Sequence, residues 1–335
     1  GIANTGVVAL IKGKKPQSKC IALRADIDAL PIQELNNVDY RSLNEGVMHA
    51  CGHDVHTASL LGVARVLNKL KEEWEGSIKL IFQPAEEKFP GGASQMISEG
   101  VLKNPKVNKI IGQHVSPELQ SGIIGMCSGM FMASADEIYI TVIGRGGHAA
   151  LPDRTLNPVL MSSKIICALY EHFDTTKDLP SVFSIGMVDG GSAGNIVPDL
   201  VKLQGTFRAM NEEYRDKAHK KIREICQNIA EEMGGSCGVD IKVGYPFLKN
   251  DEKLTSTCFK NAQAFLSSGE VIKISKRMTA EDFAYYTHHV PACFYRLGVG
   301  FSGQEDRLLH NAYFDVDENA LKLSVGMMSW LAVKA

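Results

Sequence analysis

Short apolar runs alternate with stretches of helical periodicity along the first part of this chain. That alternation limits the possible folds more than any other feature. Lys19–Ala25 (KCIALRA), Ser77–Phe82 (SIKLIF) and Asn108–Gln113 (NKIIGQ) read as buried strands. Thr57–Trp74 carries Leu60, Leu61, Val63, Ala64, Val66, Leu67 and Leu70 at helical spacing and stops near Gly76, and Gly91–Leu102 predicts a short second helix. Strands that alternate with helices imply a parallel sheet covered by helices. Ligands of such sheets gather beyond the carboxyl ends of the strands. Glu86, Glu87 and His114 fall there.

The texture changes after Gly125. Asp136–Ile143 (DEIYITVI) alternates like a half-exposed strand, a helix fits Asn157–Phe173, and strands fit Val182–Val188 and Leu200–Phe207. A long helix over Glu212–Met233 and a strand over Cys237–Val243 complete a βαββαβ order, which suits a compact α+β sandwich. Helices at Glu252–Leu266 and Asn319–Leu331, with strands at Val271–Ile274 and Ala292–Leu297, then resume the first pattern. The expected fold class is α/β in two domains. A catalytic α/β/α domain with a mixed or parallel sheet takes residues 1–126 and 243–335. A ferredoxin-like α+β domain, residues 127–242, is inserted into it.

At 335 residues, two domains are the natural expectation. A net charge of −2 with no Lys/Arg block argues against nucleic acid as partner. No run of about 18 apolar residues predicts a membrane span. Eight scattered cysteines, most within apolar runs, suggest reduced thiols and a cytoplasmic location. The chain starts at Gly1, so a targeting signal further upstream is not excluded.

The densest chemistry lies in Met48–Thr57 (MHACGHDVHT), which packs three histidines, one cysteine and one aspartate just before a helix. Thiolate and imidazole are the ligands that a borderline-soft divalent ion prefers, and aligned helix amides favour a thiolate. Cys51, His53, Glu87, His114 and His310 are the possible ligands at predicted strand and helix ends. Five are too many for one catalytic zinc with an open position, and about right for two ions that share a ligand. Glu86 and Glu87 are neighbours and point apart, so one can bind metal while the other serves as a base.

Nine blocks carry a family resemblance: LRADIDALPIQE (23–34), MHACGHDVHT (48–57), LIFQPAEE (80–87), GQHVSPELQSG (112–122), GRGGHAALP (144–152), GGSAGNIVPD (190–199), LQGTFR (203–208), MTAEDFAYY (278–286) and LHNAYFDVDE (309–318). In order and over almost the whole chain, they resemble the amidohydrolase branch of the co-catalytic-metal aminoacylase and carboxypeptidase family. That branch includes N-acyl-L-amino-acid amidohydrolases, hippurate hydrolases and auxin-conjugate hydrolases.

The resemblance implies two divalent metal ions per chain, zinc or manganese, with cobalt or nickel possible in vitro. Cys51, His53, Glu87, His114 and His310 would be the ligands; which of them bridges the ions stays open, with Cys51 the first choice. Glu86 would be the general base that later passes its proton to the leaving amine. His148 would stabilise the oxyanion, and Asn195 and Arg208 would contact the substrate's carboxylate side, where the planar Arg fork is suited to a carboxylate. Asp26 and Asp54 would hold imidazoles by their far nitrogens. The implied activity is hydrolysis of N-acyl L-amino acids, a small-molecule substrate class. A dipeptidase or carboxypeptidase using the same site is the runner-up, and a metal-free binding relative ranks last. The inserted domain would act as a lid and as the surface of a homodimer or higher oligomer.

Some residues read blandly. His56 is placed on a first helical turn, and His219 at the surface. Glu281 and Asp282 could orient a ligand histidine or cap a helix. Gln113 stands where the family commonly has an apolar residue, and Lys88 where it has a small one.

Overall fold

A computed structural model describes residues 1–175, 180–266, 268–301, 303 and 307–335. The chain forms two compact units. The first comprises Gly1–Phe131, Lys249–Lys276 and Asp282–Ala335, and the second Met132–Leu248 and Arg277–Glu281.

The first unit opens with β1 (Val7–Lys12), β2 (Cys20–Asp26), α1 (His53–Lys69), β3 (Ser77–Gln83), α2 (Gly92–Ser98), β4 (Lys109–Gln120) and β5 (Ile124–Met126). The chain leaves it through β6 (Gly129–Met132). The second unit holds β7 (Asp136–Ile143), β8 (Gly147–His148), α3 (Pro158–Thr175), β9 (Ser181–Asp189), β10 (Ile196–Val197), β11 (Leu200–Ala209), α4 (Glu212–Glu232) and β12 (Ser236–Val243). After β13 (Leu248–Asn250) come α5 (Glu252–Phe265), β14 (Val271–Lys273), α6 (Ala284–Thr287), β15 (Ala292–Gly300) and α7 (Asn319–Lys334).

The first unit is built on a sheet of order β1-β3-β2-β4-β15-β5-β14. Its centre, β3-β2-β4-β15, is parallel, while β1 and β5 pair antiparallel with β3 and β15. β2, β3 and β15 are buried along their whole length, so they read as unbroken apolar runs and not as alternation. Leu60, Val63 and Leu67 of α1 and Met327, Met328 and Leu331 of α7 pack into the core with Leu23, Ile78 and Leu80 of the sheet. Full burial of each such side chain stabilises by about 1.5–3 kcal/mol.

Three differences from the sequence reading matter. The strand β1 precedes Lys19; Val7, Val8 and Leu10 are exposed on it, so its apolar run is not a core signal. Helix α1 begins at His53 and not at Thr57, so His53 and His56 are helical residues. β4 runs on to Gln120 because β15 continues to pair with it, whereas its ladder with β2 stops at Gly112.

In the second unit β7, α3, β9, β11, α4 and β12 follow the βαββαβ order. Their sheet, β12-β7-β11-β9, is antiparallel throughout. Ile138, Ile140 and Val142 alternate inward against Met161, Ile165 and Leu169 of α3 and Ala218, Ile222 and Cys226 of α4. At the start of β7, buried Asp136 accepts hydrogen bonds from Arg215 and His219 of α4. Among the described residues no helix is long and apolar enough to cross a membrane.

Candidate metal centre

Four stretches of the first unit bring the candidate ligands together. Cys51 lies before α1, and Gly52, the residue before the helix, has φ 76°. A Cβ on Gly52 would also stand 2.5 Å from Val115 Cγ2, so this corner needs glycine on two counts. Beyond β3, Ala85 takes φ 53° and turns the chain so that Glu86 and Glu87 follow it. A Cβ on Gly92 would meet the Pro84 carbonyl oxygen at 1.7 Å, which lets α2 begin against that turn. The left-handed conformation costs a non-glycine residue on the order of 1–2 kcal/mol. His310 adopts it too, at φ 60°, and its N–H donates to Ala50 O at 2.8 Å.

The donor atoms form overlapping groups. Those of Cys51, His53 and His114 lie within 4.8 Å of one another, as do those of Cys51, Glu87 and His310, and those of His53, Glu86 and Glu87. Cys51 Sγ is 3.4 Å from His114 Nε2 and 3.3 Å from His310 Nε2. Donors that share one tetrahedral zinc ion at bond lengths of about 2.0–2.3 Å stand roughly 3.5 Å apart. His53 Nδ1 donates to the Asp28 carbonyl at 3.0 Å and His114 Nδ1 to the Val115 carbonyl at 2.7 Å, which turns both Nε2 atoms inward with free lone pairs. His53 Nε2 is buried and makes no hydrogen bond, as a metal-facing nitrogen would.

The charges agree with a cation site. Burial alone would lower the His53 pKa, but Asp26, Asp28 and Glu87 outweigh it and push it up to about 9. Contact with Glu87 raises the His310 pKa. Burial and then Arg296 hold the His114 imidazole well below its usual value, in the neutral form that ligates. The Cys51 thiol is pushed well up by burial and by Glu87, Glu86 and Asp26. The expectation that the helix start favours a thiolate therefore does not hold without a cation; burial, followed by the neighbouring carboxylates, favours the thiol. The donors of one thiolate, three imidazoles and one carboxylate fit divalent metal.

The supporting residues differ from those expected. Asp26 holds His56 Nδ1 at 2.5 Å and stands 3.6 Å from His53 Nε2. Asp54 is exposed on α1, and Asp28 takes the place expected for it beside His53. Arg24, fully buried in β2, donates to Asp26 at 2.6 Å, Asp282 at 2.8 Å and Gln83 at 2.9 Å. Asp282 also accepts from the Ala93 N–H in the first turn of α2, at 3.0 Å. It ties the helix start to the arginine. A fully buried arginine must be paired, and that was the signal in LRADID that it needs carboxylates nearby.

In the second unit the β8–β10 ribbon pairs His148 with Ile196, and the Ala149 N–H donates to Asn195 O at 3.0 Å; His148 and Asn195 are both exposed. Arg208 is half-buried on β11 and donates to Thr206 Oγ1 and to the Asp136 carbonyl.

The profile of peptidase family M20/M25/M40 matches residues 22–332. Thermostable carboxypeptidase 2 of Saccharolobus solfataricus is 38% identical over 340 residues, covering 98% of this chain and 84% of the relative. N-acetyl-L-cysteine deacetylase of Bacillus subtilis is 36% identical over 319 residues, covering 95% of this chain and 74% of the relative. Among solved structures, the YxeP protein of Bacillus subtilis, a dinuclear metal-binding peptidase, superposes with TM-score 0.83 at 33% identity, over 98% of this chain and 84% of the other. This chain belongs to peptidase family M20/M25/M40.

Proposed function

We infer that this chain is a metal-dependent amidohydrolase that cleaves the amide of N-acyl L-amino acids. The observation that carries the reading is the convergence of Cys51, His53, Glu87, His114 and His310 around inward-facing donor atoms, with Glu86 beside them. Cys51 belongs to two of the donor groups, so it would help hold metal in either of them, a donor set that suits two divalent ions. Zinc suits this thiolate- and imidazole-rich set, and manganese is the alternative. The bound metal, as a Lewis acid, polarises the scissile carbonyl and acidifies water.

The chain's own residues do the rest. Glu86 is buried, and its Oε1 accepts the Asp282 N–H at 3.3 Å, so the carboxylate is aimed before substrate arrives. It takes the proton of the attacking water and returns it to the amine as the amide C–N bond breaks. His53 and His114 keep Nδ1 occupied with carbonyls and Nε2 free for the metal. The same reading assigns the developing oxyanion to His148 and the substrate carboxylate to Asn195 and Arg208. It assigns pairing of two copies to the second unit.

Replacing Glu86 with glutamine tests the base. The substitution should leave metal content unchanged and lower kcat by at least about 100-fold. Retention of most activity would remove Glu86 from this role. A second reading, a carboxypeptidase at the same centre, is favoured by the likeness to the Saccharolobus enzyme. Comparing N-acetyl and N-benzoyl amino acids with N-blocked dipeptides under identical loading separates the two.

A further inference from the structure

The mechanism leaves one buried histidine of the motif unused. His56 lies in the first turn of α1 and is fully buried. The β2–β4 ladder ends at Arg24 and Gly112, so the Val115 amide on that side has no strand partner. It donates to His56 Nε2 at 2.9 Å. A backbone amide can only donate, so Nε2 accepts and the ring proton sits on Nδ1. That proton points at Asp26 Oδ1, 2.5 Å away. Asp26 is held from its other oxygen by Arg24 at 2.6 Å.

We propose that His56 is a positioning residue for the metal centre, linking the carboxylate of Asp26 to the strand segment that carries His114. The inference rests on the metal-centre reading above. Val115 joins the two histidines, because both its polar backbone groups serve them. Its N–H meets His56, and its carbonyl accepts from His114 Nδ1 at 2.7 Å. If His56 lets go, the Val115 peptide is free to turn, and the His114 ring loses the group that fixes its tautomer. His56 also packs against both ligand rings, with centroids 4.8 Å from His114 and 5.5 Å from His53. On the Asp26 side, the same contact keeps the carboxylate 3.6 Å from His53 Nε2. One neutral ring thus sets two ligand histidines without touching substrate.

The test compares wild type, His56→Leu and His56→Gln. Leucine fills the space and removes both hydrogen bonds. Glutamine restores one donor and one acceptor. Zinc affinity is measured by chelator competition, and coordination by the visible spectrum of the cobalt-loaded protein. Apo-protein melting controls for the fold. Loss of a group that orients a ligand typically weakens metal binding about 10–100-fold. That loss is expected for His56→Leu, with an altered cobalt spectrum and partial recovery in His56→Gln. Wild-type zinc affinity and an unchanged cobalt spectrum in a folded His56→Leu overturn the proposal. Should His56→Leu not fold, His56→Gln decides: weakened zinc affinity with an altered cobalt spectrum supports the role, and wild-type affinity with an unchanged cobalt spectrum overturns it. Failure of the wild-type protein itself to bind zinc or cobalt would instead count against the metal-centre reading.

Discussion

Arg24 sits at zero exposure between two carboxylates, Asp26 and Asp282, with Gln83 on its remaining edge. Removing one partner of a buried ion pair leaves charge uncompensated, which typically costs about 3–5 kcal/mol. Arg24→Met keeps the aliphatic bulk and removes the cation that both aspartates share. Urea unfolding of the apo protein should show a loss of that size, and a loss below about 1 kcal/mol would mean that the pairs contribute little. Asp136 is the matching case in the second unit. Burial would raise its pKa, but hydrogen bonds from His219 and Arg215 outweigh that and hold it below the ordinary carboxylate value. A carboxyl depressed in the folded state stabilises fully above the unfolded value of about 4 and loses that contribution as pH falls through the folded value. Acid unfolding should therefore be less steep in Asp136→Asn than in wild type. Parallel acid profiles for the two proteins would contradict the depressed carboxyl.

Elements carry the ligands to one place by their ends. Gly52 joins Cys51 to α1 in a conformation that suits glycine, against the side chain of Val115. Gly52→Ala should destabilise by about 1–3 kcal/mol and weaken metal binding, because the strain falls between two proposed ligands. Gly46→Ala is the control: it has a positive φ of 72° but nothing within 4 Å of an added Cβ. It should cost stability alone. Equal metal affinity in wild type and Gly52→Ala would show that the corner does not transmit strain to the centre. A buried polar chain adds a second fastening. Tyr295 donates to Gln113, Gln113 to Ser324, and Ser324 to Ser59, joining β15, β4, α7 and α1. Gln113, unusual for its position by resemblance, is thus satisfied by partners on two other elements, β15 and α7.

Across the whole molecule, the sequence displayed what repeats along the chain and hid what meets across it. The buried parallel strands and the βαββαβ order were legible because burial writes unbroken or alternating apolar patterns. The exposed edge strand β1 was not, since its apolar residues face solvent and build no core. The candidate ligands stood out because Cys, His and paired Glu cluster in few residues. His56 and Asp28 did not, because their roles depend on Val115 and His53, which only the fold brings near them. Asp54 stood out wrongly: adjacency to His53 along a helix turns it outward to solvent. Metal should also tie the first unit together, since an ion that binds only the folded chain raises stability with its concentration. The melting temperature should fall on chelation and return with added zinc.

Elemental analysis of protein purified without chelator or affinity-column metal tests the centre most directly. The expected result is about two divalent ions per chain, reduced in Cys51→Ala, whose sulfur is shared between two donor groups. Folded protein that stays near zero after incubation with zinc or manganese would contradict the metal centre, and with it the hydrolytic reading.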